Sequence, residues 1–287
     1  MRASTWLLGS LLFGALGAAH AAADPAVLDR PPPTPIRASK IVLVGDSTTA
    51  VQGGWGPAFC ARHVTSFLTC TNLARGGRST YNYRAEGSWV LADAEMRTPG
   101  YARTWVLVQF DHNDQPGKPG RSTDLRREFP DNLRRYVREI RAAGAQTVLL
   151  TPLTRRQFAD GVLIDDLAPW AEAVRSVARE MDVPLVDLHA RSRAVVQALG
   201  PVAAMPLAQA AAAPAQVSAA LRGTTVGAAP VVGAPAAQDN AVTEPMGQAK
   251  VAFDYTHLGP EGAALFATLV TEELARQVPS LRPLLIP

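Results

Sequence analysis

The chain alternates short apolar runs with amphipathic stretches. Five runs have the length and composition of strands: Ile41–Val44, Phe67–Asn72, Thr104–Phe110, Gln146–Thr151 and Pro184–Leu188. Four stretches carry apolar residues at helical spacing, at about Trp55–Val64, Asp124–Ala143, Ala168–Met181 and Gly259–Gln277. The last three strand runs are continuously apolar rather than alternating, the pattern of parallel strands covered on both faces. Strand–helix alternation of this kind predicts an α/β fold, a three-layer α/β/α sandwich around a central, mainly parallel sheet. In such sheets ligands sit beyond the carboxyl ends of the strands. Ser47, Gly77 and Asn113 each follow a predicted strand, so they are expected on one edge of the sheet.

Two segments break the pattern. Residues 24–38 are rich in Pro and aperiodic, and read as an extended leader. Residues 200–250 are dominated by Ala, Pro, Val, Gly and Gln with almost no charge, and read as a low-complexity insertion forming a long loop. Residues 1–23 have the order of a secretory signal: Arg2, an apolar stretch from Trp6 to Leu16, then small residues at Ala19-His20-Ala21 or Ala21-Ala22-Ala23. The expected organisation is therefore a signal peptide, a leader and one domain over residues 39–287. No later segment offers the roughly 18 apolar residues of a membrane span, so a secreted or periplasmic protein is expected, acting as a monomer.

The net charge is +3, but the basic residues are scattered and form no block or aromatic-interleaved stripe, which argues against a nucleic-acid partner. Cys60 and Cys70 are the two cysteines. In an oxidising compartment they could pair, although spacing alone does not fix their separation.

The chemistry lies in four blocks. Ser47 ends the first apolar run in Gly45-Asp46-Ser47-Thr48, and a serine there needs a base to become a nucleophile. His257 can be that base, and Asp254, three positions earlier, can reach its far ring nitrogen from a single turn. Taken alone, Asp-x-x-His is a common helix-start cap. A tetrahedral intermediate also needs oxyanion donors, which the Ser47 backbone N–H, Gly77 and the Asn113 amide could supply. Gly76-Gly77 alone would be a turn and Asn113-Asp114 alone a loop. In combination they form a complete acyl-transfer set.

Other polar residues take lesser roles. His63, His112 and His189 with Asp111, Asp114 and Asp187 lack metal-ligand spacing, so no metal is expected. His189 reads as a helix-start residue. Asp46 and Asp114 read as structural carboxylates that hold loop N–H groups. Tyr81 and Tyr83 are candidates for stacking on a sugar, while Trp55 and Trp89 read as core. Arg156 could meet an acidic sugar or make a surface ion pair.

These blocks resemble the SGNH (GDSL-type) hydrolase superfamily, and more narrowly its rhamnogalacturonan acetylesterase group. The matching pieces run in the family's order: Gly45-Asp46-Ser47-Thr48, Gly54-Trp55-Gly56, Asn72 to Ser79 with Glu86 to Trp89, Gln109 to Asp114, Thr151 to Arg156 and Asp254 to Leu258. The resemblance implies a flavodoxin-like fold, with Ser47, Gly77, Asn113 and His257 as the four namesake residues and Asp254 completing the triad. It also implies removal of acetyl groups from an acetylated polysaccharide or oligosaccharide without a cofactor. Two departures stand out: Asp111 where the family usually has Gly, and the 200–250 insertion. A lipase or thioesterase of the same superfamily, or a glycan-binding relative impaired by Asp111, are the alternatives.

Overall fold

A computed structural model describes residues 34–226 and 251–287. The expected signal peptide, most of the leader and residues 227–250 of the insertion lie outside the described residues.

Five strands form one sheet: β1 Ser39–Gly45, β2 Leu68–Asn72, β3 Thr104–Gln109, β4 Gln146–Leu150 and, after a small hairpin, β7 Leu185–Val186. Their order is β2-β1-β3-β4-β7 and every pairing is parallel. The hairpin strands are β5 Phe158–Ala159 and β6 Val162–Leu163.

Side-chain alternation along the strands divides the core in two. Ile41, Leu43, Trp105, Leu107, Val148 and Leu150 face one layer. Val42, Val44, Val106, Val108 and Leu149 face the other. Helices α1 Gly56–Arg62, α6 Leu188–Ala203 and α8 Pro260–Gln277 supply the first layer, through residues such as Phe59, Val196 and Phe266. Helices α2 Asn82–Ala85, α3 Ser88–Met96, α4 Glu128–Ala142 and α5 Ala168–Met181 supply the second, through Tyr83, Trp89, Leu133 and Val174. Because both faces are covered, the central strands β1, β3 and β4 are buried along nearly their whole length, which explains their unbroken apolar runs. The edge strand β2 is buried fully only at Leu68. The expected three-layer sandwich is the fold. The described residues from Arg37 onward form one compact unit, and no helix among them is long and apolar enough to cross a membrane.

Several boundaries differ from the sequence reading, each for a physical reason. Strand β1 begins at Ser39 because Lys40, though a cation, is buried: its Nζ pairs with Glu95 at 2.5 Å and lies 4.2 Å over the Tyr101 ring. Helix α4 starts at Glu128 rather than Asp124, whose carboxylate instead accepts from the Arg126 and Arg127 N–H groups in a turn. The fifth strand shrinks to two residues between Pro184 and Asp187, which caps α6 by accepting from Ala190 N. Helix α3 escaped detection because Val90 and Leu91 are exposed while Trp89, Ala92 and Met96 point inward. The expectation of a loop over 200–250 fails for its described part. Helix α6 runs to Ala203, and a short helix α7 spans Pro214–Ala220.

Candidate active site

Strand β1 delivers Ser47 on a tight turn. The Asp46 carbonyl accepts from the N–H groups of Thr49 (3.2 Å) and Ala50 (3.0 Å), leaving Ser47 partly exposed between buried neighbours. Asp46 Oδ1 accepts from Thr48 N and Thr48 Oγ1, both at 2.8 Å, in the loop-holding role expected of it. Gln109, at the end of β3, anchors the same loop. Its Oε1 accepts from Thr49 Oγ1 (2.5 Å) and Trp55 Nε1 (2.8 Å) while its Nε2 donates to the Thr151 carbonyl. Gly56 has to be glycine, since a Cβ there would stand 2.3 Å from Thr49 O and 2.4 Å from Asn72 Nδ2.

Gly77 is buried and has φ +73°, a conformation that favours glycine. It follows β2, and the loop is tied to β1 by Arg75 N donating to Gly45 O at 2.9 Å. Asn113 follows β3, is buried, and donates from Nδ2 to Arg78 O at 3.1 Å. Asp114 joins these two blocks by accepting from Thr80 N, Thr80 Oγ1 and Thr123 Oγ1. Burial pushes its carboxyl up to about 8 against those hydrogen bonds.

Before α8, Asp254 organises a turn. Its Oδ1 accepts from the N–H groups of Thr256 (2.7 Å) and His257 (2.6 Å), and its Oδ2 accepts from His257 Nδ1 at 2.6 Å. Nδ1 therefore carries the proton and Nε2 is the basic nitrogen. Burial would raise the Asp254 carboxyl, but the His257 ring and the two N–H groups outweigh it and hold it at about 2. The His257 ring packs on the Ser47 loop: a Cβ on Gly53 would stand 3.2 Å from His257 Cδ2, and Leu258 N donates to Gly53 O. No hydrogen bond joins Ser47 Oγ to His257 among the described residues. Catalytic contacts of this kind commonly tighten only when substrate is bound.

Two candidates for substrate contact are corrected. Arg156 is only 2% exposed and donates to the carbonyls of Thr256 (3.1 Å), Asp254 (3.1 Å) and His257 (2.8 Å), so it positions the His257 turn from beneath. Tyr83 is fully buried against Phe110, with its hydroxyl donating to Leu73 O. Tyr81, at 48% exposure, keeps a face open to solvent.

The sequence reading missed two groupings. Behind the Ser47 turn, His112 Nδ1 lies 3.0 Å from Asp111 Oδ1 and 3.4 Å from Asp46 Oδ2, all three residues buried. Burial pushes Asp111 up to about 7 despite the His112 charge, and the two carboxylates push His112 up despite its burial. The ligand atoms lie within 4.8 Å of one another, a spacing a metal ion could use. An imidazolium between two carboxylates already balances most of that charge. Asp111 also has φ +149°, in the region that disfavours every residue but glycine. The second grouping is a cleft of about 430 Å³ beside Asn113, lined by Tyr81, Lys118, Arg121 and Glu128 among others. Its one sequence sign is the pair of cations in Gly117-Lys118-Pro119-Gly120-Arg121.

Residues 43–205 match the GDSL-like Lipase/Acylhydrolase family. The chain belongs to that family. As a GDSL-like acylhydrolase it is a carboxylic ester hydrolase. It is similar to two proteins of Bacillus subtilis (strain 168). One, named as a probable rhamnogalacturonan acetylesterase, YesY, is 34% identical over 164 residues, 55% of this chain and 73% of the relative. The other, the rhamnogalacturonan acetylesterase RhgT, is 34% identical over 170 residues, 56% of this chain and 70% of the relative. Solved structures share the fold. The crystal structure of YxiM from B. subtilis superposes with a TM-score of 0.58 at 20% identity, covering 85% of this chain but only 58% of that one. The acetylxylan esterase Axe2 of Geobacillus stearothermophilus gives a TM-score of 0.51 at 16% identity, covering 84% and 94%.

Proposed function

We propose that the chain is an exported serine esterase that removes acetyl groups from a pectic or hemicellulosic glycan. In this reading Ser47 Oγ attacks the acetyl carbonyl while His257 Nε2 takes its proton. Asp254 holds the ring and stabilises the imidazolium. The Ser47 and Gly77 N–H groups and the Asn113 amide receive the oxyanion. His257 then gives that proton to the departing sugar oxygen, which leaves as a hydroxyl, and water, deprotonated by the same imidazole, releases acetate from the acyl-enzyme. The observation that carries the reading is the Asp254–His257 pair packed on the loop of Ser47, in a chain that is 34% identical to a rhamnogalacturonan acetylesterase over 170 of its residues. The Cys60–Cys70 disulfide supports export, since such bonds persist in oxidising compartments.

Ser47→Ala tests it directly: acetate release from acetylated pectin and xylan falls to background while the thermal unfolding midpoint holds. Retained turnover in Ser47→Ala would overturn the mechanism. One observation favours a second reading, a glycan-binding relative of low activity. Asp111 places a strained backbone and a buried carboxyl two residues from Asn113.

A further inference from the structure

Sequence relatives of this chain are named for an acidic polysaccharide and a structural neighbour for a neutral one, so the backbone it works on is open. The cleft beside Asn113 bears on that choice. Arg121 donates to Asn113 Oδ1 at 3.4 Å, which places the cleft against the oxyanion side of the site. Lys118 and Arg121 both line it, and among the described residues no carboxylate pairs with either. Arg121 Nε is buried without a hydrogen-bond partner. Burial lowers the Lys118 ammonium, and repulsion from Arg155 and Arg121 lowers it further, against the attraction of Asp46 and Asp166. Arg155, nearby, is already paired with Asp166. Glu128 is the one acid lining the cleft, and its carboxylate accepts from Asp124 N at 3.3 Å. Two cations crowded together and partly desolvated, with carboxylates near but none bonded to either, are costly unless an anion completes them. A guanidinium is suited to a carboxylate because its donors form a fork. The half-exposed Tyr81 ring forms a wall of the same cleft, and such rings offer apolar area to a sugar face.

We propose that this cleft is an anion subsite that seats the carboxylate of a uronic-acid residue next to the acetylated sugar, with Lys118 and Arg121 as its cations and Tyr81 as its wall. The proposal rests on the esterase reading for its place in the reaction, and it selects an acidic glycan over a neutral one. Lys118 is the residue to change, because Arg121 also holds Asn113 and its loss would lower turnover on every ester.

The kcat/KM for an acetylated trigalacturonide is measured against that for acetylated xylotriose, in the wild type, Lys118→Gln and Lys118→Arg. The wild type is expected to favour the acidic substrate, and added salt to shrink the advantage. In Lys118→Gln the acidic-to-neutral ratio falls about tenfold, chiefly through KM, and Lys118→Arg restores most of it. A ratio unmoved by Lys118→Gln, with acetate released from both substrates, overturns the proposal. Binding is read separately by calorimetry on Ser47→Ala with unesterified trigalacturonic acid and xylotriose. Preference for the acid that Lys118→Gln abolishes supports the subsite, and equal binding of the two sinks it. No acetate from either ester alongside retained acid binding would sink the esterase reading while leaving the subsite standing.

Discussion

Asp111→Gly is the substitution that asks most of the structure. It removes a non-glycine residue held at φ +149°, where backbone strain is worth about 1–3 kcal/mol. Against that stands the extra freedom of glycine in the unfolded chain, about 0.5–1 kcal/mol. His112 keeps Asp46 as a partner, so no buried cation is left alone. From the backbone alone the change is therefore neutral to stabilising by about 2.5 kcal/mol, and removal of the buried carboxyl adds to this as the pH rises above about 4. The larger effect is electrostatic. Asp111 and Asn113 are two residues apart, at most about 7 Å between Cα atoms, and with the Asp111 carboxyl turned toward His112 its charge is taken to act on the oxyanion from about 8 Å. At an effective dielectric of about 20, that repulsion is about 2 kcal/mol. The imidazolium of His112 offsets part of it, leaving about a tenfold effect on turnover.

The effect carries a pH signature. Burial raises Asp111 from the ordinary 3.8 to about 7, so the native carboxyl is neutral below that value and charged above it. Its contribution to stability is fully present below about pH 4, where both states are protonated, and is lost as the pH rises to about 7. Both the turnover gain and the stability gain of Asp111→Gly should therefore grow with pH. Acetate release by the two proteins is compared at about pH 5.5 and about pH 8.5, with thermal unfolding at each. A gain in turnover that is the same at both pH values, or a variant slower at both, refutes the reasoning.

The other predictions concern the parts that hold the site. Asp254→Asn leaves His257 in the wrong tautomer, and kcat falls about 10³–10⁴-fold. The unfolding midpoint is lower at neutral pH, modestly because the pair is partly exposed, and the gap to the wild type closes in acid. The wild type alone then loses the stability that Asp254 contributes, present above about pH 4 and lost as the pH falls toward about 2. Arg156→Met strands three carbonyls of the His257 turn. A loss of about 3 kcal/mol and a fall in kcat at little-changed KM are expected, and an unaltered unfolding midpoint would count against it. Replacing Cys60 and Cys70 by Ser opens a loop with a sequence separation of 10. Chemical denaturation should then show about 3 kcal/mol less stability, with turnover retained in the cold.

The layers of the fold were legible because the signal was redundant. Each buried strand showed itself twice, once as an apolar run and once by the turn residues at its carboxyl end. What escaped was stabilised by pairs distant in sequence. Lys40 hides in the first strand only because Glu95 and Tyr101 come to meet it. Helix α3 shows no apolar face because Val90 and Leu91 stay exposed while Trp89 hydrogen-bonds Glu139 and Met96 is buried. The same logic explains Arg156. A cation in a loop reads as a surface group until a turn about 100 residues later wraps its carbonyls over the guanidinium.

Within the site, residues that act through their own chemistry were visible, and residues that act through each other were not. Ser47, Asp254 and His257 stood out because a nucleophile, an acid and a base carry their meaning in their side chains. Asp46, Asp111 and His112 acquire theirs only when β1 and β3 bring the ends of two loops together. That cluster and the cationic cleft also work on one another. Asp46 draws on Lys118, and Arg155 draws on Asp111. The carboxylates behind the Ser47 turn thus temper the cations in front of it. Ionisation of Asp111 adds a negative charge beside Asp46 and Arg155, the groups that act on Lys118, and at the same time opposes the oxyanion beside it. Both effects push the same way, so turnover on an acidic glycan should decline more steeply above about pH 7 than turnover on a neutral one. Asp111→Gly should remove that difference in steepness while Lys118→Gln leaves the decline on the neutral glycan in place, which separates the carboxylate's action on the reaction from its action on the subsite.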